Sequence, residues 1–143
     1  MDNNQNFMRS LFKTMKAMRS KMLSLLSERG IDISPHQFFI LKHISNEKTV
    51  TQQELALMIR SDKSAVLRQL DKLQKEMLIA RIPDELDKRK KKLVLTASGA
   101  EFLGKCESIE EEFFNSALQN IDKSEIETFI KVLNQLQNNI ELR

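Results

Sequence analysis

Residues 51–95 leave the chain few ways to fold. Thr51-Gln52-Gln53-Glu54 has the form of a capping box, in which a hydroxyl and a carboxylate each satisfy a backbone N–H at a helix start. The helix it opens runs only to about Ile59, because Ser61 or Asp62 starts another that continues to about Met77. In that second helix Val66, Leu70, Leu73 and Met77 are spaced 4, 3 and 4 apart, which marks a buried face. The period then drops to two. Ile79, Arg81 and Pro83 alternate with Ala80 and Ile82, and Leu93-Val94-Leu95 forms a second extended run. The charged loop between them, residues 84–92, is too long for a tight turn, so the pattern predicts a projecting β-hairpin.

The flanks read as helices. The first spans about residues 6–28, with Met8, Leu11, Met15, Met18, Met22 and Leu25 spaced 3, 4, 3, 4 and 3. That is an a/d seam, widened by Phe12 and Leu26, and it calls for a partner helix. Gly30 suits the left-handed turn that ends it. Ser34, Pro35 and Gln37 start the next helix, whose apolar face holds Phe38, Leu41 and Ile44 beside Phe39 and Ile40. After the hairpin, Thr96 caps a long helix with Phe102, Cys106, Ile109, Phe113, Ala117 and Ile121 on one face. Asp122-Lys123-Ser124-Glu125 opens a last helix, with Ile126, Phe129, Ile130, Leu133, Leu136 and Ile140 expected to face inward.

With only three Gly and two Pro in 143 residues, this is a mainly α chain of single-domain size. The order helix, short helix, longer helix, hairpin predicts a winged helix-turn-helix: a three-helix core plus a β-hairpin wing over residues 34–99. Residues 1–33 and 100–143 supply the flanking helices, which read as dimerisation helices.

Charge is unevenly placed. Residues 60–92 carry net +5 and residues 93–143 net −5, so the middle of the chain is suited to a polyanion. Opposite the buried face of the second motif helix stand Lys63, Ser64, Leu67 and Arg68, placed to enter a major groove of duplex DNA. Arg68 can pair bidentately with guanine, Lys63 and Ser64 suit phosphates or base edges, and Leu67 suits a thymine methyl. Gln52, Arg60, Ser61 and Lys72 border this face and are counted with it. In the wing, residues 88–92 are five consecutive cations. Lys88 and Lys90 suit phosphates, and Arg89 suits a narrow minor groove with Asp87 to orient its guanidinium.

Other classes fit poorly. The one cysteine excludes an internal disulfide framework and suits a reducing compartment. His36, His43 and Cys106 lack metal-ligand spacing, so no metal or cofactor is expected. No Gly-rich phosphate loop, nucleophile elbow or paired acid–base set suggests an enzyme, and no catalytic residues are assigned. There is no secretory leader and no apolar run of membrane-spanning length, so a cytoplasmic protein is expected. A winged-helix module that binds protein would want an acidic or apolar recognition face, which Lys63, Arg68 and residues 88–92 disfavour.

The segments TQQELAL, DKSAVLRQLDKLQKEMLIAR, DELDKR and LTASG, in this order, resemble the MarR family of regulators across residues 34–104. The resemblance implies a homodimer knit by the N- and C-terminal helices, with the second motif helix reading the major groove. It also implies repression of a pseudo-palindromic operator, with activation without ligand control as the alternative. Carried over, Lys63, Ser64, Leu67 and Arg68 are groove-facing, Arg89 is the wing arginine and Asp87 its acidic companion. Two positions depart from the pattern: Met77 stands where a glycine is common, and Lys88 where an arginine is common. Many members respond to small aromatic ligands, and Met15, Met18, Met22, Phe38 and Phe39 would line such a site. Cys106 reads as a buried thiol rather than a redox sensor.

Overall fold

The computed structural model describes residues 3–47, 50–59 and 62–141. Among these, six helices and three short strands follow in the order α1 (Asn3–Glu28), α2 (Pro35–Asn46), β1 (Val50–Thr51), α3 (Gln52–Ile59), α4 (Lys63–Lys75), β2 (Ile79–Pro83), β3 (Lys91–Leu95), α5 (Ala97–Ala117) and α6 (Lys123–Glu141). Met1–Glu110 form one compact unit and Glu111–Arg143 a second, the boundary falling within α5.

The capping boxes form as the sequence implies. Ser34 Oγ accepts from Gln37 N–H at 3.1 Å while Gln37 Oε1 accepts from Ser34 N–H at 3.0 Å. Thr51 and Glu54 exchange the same pair of bonds at 3.2 and 2.8 Å. The core of the first unit gathers Leu26 from α1, Ile40, Leu41 and Ile44 from α2, Leu55 from α3, and Val66, Leu70 and Leu73 from α4. Ile79 and Leu93 from the sheet and Leu103, Cys106 and Ile109 from α5 complete it. β2 and β3 pair antiparallel with Arg81 opposite Leu93. The sheet has a third strand, β1, on the free edge of β3, with Val50 opposite Leu93. Two residues are too few to show a period, so the sequence pattern carries no sign of it.

Three sequence expectations are corrected. Met77 does not continue the buried face of α4. It lies beyond the helix end, 70% exposed, at φ 58. Its N–H bonds Gln74 O at 2.9 Å and Leu78 N–H bonds Leu73 O at 2.9 Å, which is the Schellman arrangement. The turn thus keeps the left-handed geometry for which glycine is usual, held by Leu73 and Leu78, both buried. A β-carbon in that region costs about 1 kcal/mol. Met77→Gly is therefore expected to raise stability by roughly 0.5–1 kcal/mol, read as a thermal midpoint a few degrees higher. A lower midpoint would show that the methionine side chain, not the backbone, holds the turn. Ile121, expected on the long helix, lies beyond the end of α5 at Ala117. The inward face expected of α6 is not buried: Ile126, Leu133 and Leu136 are half-covered, while Phe129, Ile130 and Ile140 are exposed.

The start of α5 is stitched to the α4–β2 turn. Thr96 Oγ1 donates to Met77 O at 2.5 Å and accepts from Gly99 N–H at 2.9 Å, while Thr96 N–H bonds Leu78 O at 3.1 Å.

Candidate nucleic-acid interface

Asp62 is the N-cap of α4. Its carboxylate accepts from Ser64 N–H at 3.4 Å and from the Ser64 hydroxyl. The Ser64 hydroxyl, then its N–H, hold the Asp62 carboxyl below the usual carboxylate range. The acid at this helix start is therefore committed to capping, and Ser64 is left with acceptor lone pairs to offer. Lys63 and Arg68 are exposed on the same helix. Leu67, expected to be exposed, is half-buried. With Gln52, Gln53, Ala56, Lys63 and Val66 it lines a ≈ 60 Å³ hollow, so it packs α4 against α3 as well as edging the groove-facing side. Lys72 is half-exposed, with Glu76 one turn on at 4.0 Å. Arg60 and Ser61 lie outside the described residues. Gln52 is half-buried, and its Oε1 accepts from Arg81 Nε at 3.1 Å, which leaves its amide nitrogen to donate elsewhere.

The wing loop is folded into two successive Asx turns. Asp84 Oδ1 accepts from Leu86 N–H at 2.8 Å and Asp87 N–H at 3.0 Å. Asp87 Oδ1 accepts from Arg89 N–H at 3.1 Å and from Arg89 Nε at 3.2 Å. Arg89 thus stands 93% exposed with its guanidinium already oriented by Asp87. Lys88 and Lys90 are exposed beside it, whereas Lys92 turns back to Asp84 at 3.5 Å and is largely buried. The cationic run therefore divides into a free tip and a structural lysine.

The N–H groups of Asp87 and Leu86, aided by Lys92, hold the Asp84 carboxyl below the usual carboxylate range. A depressed carboxylate stabilises the fold above its unfolded pKa, and that contribution is lost as pH falls through the folded value, below about pH 4. The Leu86 and Asp87 amide resonances are expected to hold constant from neutrality down to about pH 4 and then to shift together. A common midpoint well above that would remove the Asp84 turn as the organiser of the wing.

Of the residues expected to line a ligand site, Met22, Phe38 and Phe39 border a cavity of ≈ 450 Å³ in the first unit, with Arg19, Lys42 and Glu110 among its walls. Met15 and Met18 do not line it; Met15 is exposed on the α1 seam and Met18 is half-covered. Lys42 pairs with Glu110 at 2.6 Å and lies 5.3 Å above the Phe38 ring. Cys106 is fully buried, and burial pushes its thiol up to about 11, so it is not a thiolate at neutral pH. Among the described residues no group of His, Cys, Asp and Glu is placed to hold a metal, and no helix is long and apolar enough to cross a membrane.

Sequence reasoning missed Arg81. From β2 its Nε bonds Gln52 of α3, and its terminal nitrogens bond Gln74 Oε1 at 2.5 Å and Asp71 Oδ1 at 2.7 Å on α4. A signal was present: Arg81 shares a strand face with Ile79, and a cation there needs acceptors nearby.

A cationic helix beside a hairpin wing, both mounted on a three-helix core, defines a winged helix-turn-helix transcription regulator. The MarR family model matches residues 33–91. The HTH-type transcriptional regulator YybA of Bacillus subtilis is 29% identical over 119 residues, 83% of this chain and 79% of its own length. The crystal structure of the transcriptional regulator PA3341 is 30% identical, with a TM-score of 0.82 over 96% of this chain and 99% of that one. The transcriptional repressor CouR, solved bound to a 23-mer DNA duplex, shares the fold at 17% identity, with a TM-score of 0.78 over 90% of this chain and 89% of that one. Residues 33–91 thus match the MarR family of transcription regulators, and the likeness to HTH-type transcriptional regulators extends over most of the chain.

Proposed function

We propose that the chain is a homodimeric, cytoplasmic repressor that recognises a pseudo-palindromic operator and is released by a small aromatic ligand. The observation that carries the DNA half is the pairing of two differently presented arginines. Arg68 lies on the exposed side of α4, and Arg89 at the wing tip is braced by Asp87. In this reading Lys63, Ser64 and Arg68 enter the major groove, Arg89 enters the adjacent minor groove, and Lys72, Lys88 and Lys90 meet phosphates. Dimerisation is supported by apolar surface that one chain leaves uncovered: Met8, Phe12 and Met15 on α1, and Phe129, Ile130 and Ile140 on α6. The ligand half is supported by the ≈ 450 Å³ cavity, a volume that suits a small molecule, whose walls are mostly apolar with Arg19 and Lys42 to meet a polar end.

The test is selection from random duplex DNA at moderate salt. The expected product is a two-fold symmetric consensus with half-sites about one helical turn apart, or a small multiple. Selection that enriches no symmetric sequence would favour a protein-binding winged helix instead.

A further inference from the structure

Arg81 belongs to none of the groups assigned to DNA. Its side chain is only 19% exposed, and its guanidinium donates to three acceptors on two other elements. It rises from β2, the strand that leads into the wing, and grips Asp71 and Gln74 on α4 and Gln52 at the start of α3. We propose that Arg81 is a positioning residue: a strut that sets the angle between the recognition helix and the wing, and so the separation of Arg68 from Arg89.

A planar guanidinium that donates in three directions fixes orientation as well as distance, which a single ion pair does not. β2 joins α4 through one turn at Met77 and Leu78, whose backbone Thr96 ties to the start of α5. Arg81 ties the strand itself to α4, at Gln74 and Asp71. Two arginines that must enter neighbouring grooves together tolerate only small misplacement of their supports. Phosphate contacts made by flexible lysines tolerate far more, so the strut acts on sequence discrimination rather than on general DNA affinity. Asp71 fits this role. It is a carboxylate on the exposed side of a helix that would otherwise repel phosphate, and Arg81 neutralises it while using it as an anchor.

The inference rests on the DNA-binding reading above, so its test has one arm without DNA. Nitroxide labels at Lys75→Cys and Leu86→Cys, both exposed positions, report the α4–wing distance in labelled chain diluted with unlabelled chain. Cys106 is too buried to label. Arg81→Ala is expected to broaden that distance distribution, and Asp71→Asn, which keeps an acceptor, to leave it narrow. In the second arm, affinities for the selected operator and for a random duplex of equal length are measured at one salt concentration. Arg81→Ala and Asp71→Ala are expected to cut the operator-to-random ratio by about 10-fold or more, with Asp71→Asn within about 3-fold of the parent. Asp71 is 67% exposed, so its variants remain informative if Arg81→Ala fails to fold. An unchanged distance distribution overturns the strut, as does an equal loss on both duplexes, which would make Arg81 a phosphate contact. A broadened distribution in a chain that selects no operator supports the strut and overturns the DNA reading alone.

Discussion

The double variant Arg68→Ala, Arg89→Ala is expected to bind the selected operator at least about 100-fold more weakly than the parent. A bidentate arginine–guanine pair is worth about 1–3 kcal/mol of discrimination, and each 1.4 kcal/mol is tenfold in affinity. Arg68 is exposed, makes no hydrogen bond or ion pair among the described residues beyond the nearby charge of Asp62, and keeps its fork available for such a pair. Arg89 already spends one donor on Asp87, a bond that reduces the conformational freedom the side chain must lose on entering a groove. The single variants should differ in kind. Arg68→Ala relaxes the consensus at one symmetric pair of positions. Arg89→Ala leaves those positions intact and weakens the preference for narrow-groove flanks. Binding measured at several salt concentrations separates these effects from phosphate neutralisation, since each lost phosphate contact flattens the log–log salt slope by about 0.9. A double variant within about threefold of the parent would remove both arginines from the interface.

What could be read from the sequence was local. The Ser34–Gln37 and Thr51–Glu54 boxes close over three residues, so their residue types announce the helix starts directly. The Asp87–Arg89 brace is equally short-ranged and forms as expected. The place of Arg81 on the Ile79 face was legible, but its partners were not, because they come from 7, 10 and 29 positions away, distances no local pattern encodes. The turn at Met77 shows tertiary burial overriding a local preference: Leu73 and Leu78 bury their side chains and carry the Met77 backbone into the left-handed region with them. Apolar spacing marked a face on α1 and on α6 but could not say whether the same chain covers it, and on α6 it does not bury it. The methionine seam likewise looked like one continuous lining, whereas only Met22 reaches the cavity and Met15 lies on the outer seam.

Two glycines of the same helix should respond to alanine with opposite signs. Gly99 lies in the first turn of α5, and a β-carbon there would sit 1.8 Å from Leu78 O and 2.8 Å from its carbonyl carbon. Both atoms are backbone, so no side chain can rotate to make room. Leu78 O is also the acceptor for Thr96 N–H, and relieving the clash means breaking that bond and straining the Thr96 contact to Met77 O. Overpacking of this kind costs about 1–3 kcal/mol and the lost hydrogen bond about 1 kcal/mol, against up to about 1 kcal/mol gained in helix propensity. Gly99→Ala is therefore expected to destabilise the chain by roughly 1–3 kcal/mol, lowering the thermal midpoint by about 3–10 °C. At Gly104, in the interior of α5, an added β-carbon meets nothing within 4 Å. Gly104→Ala should stabilise by about 1 kcal/mol through propensity alone. Thermal unfolding of the two variants beside the parent decides the matter. If Gly99→Ala melts at or above the parent temperature, the close approach of α5 to Leu78 does not hold the helix to the α4–β2 turn.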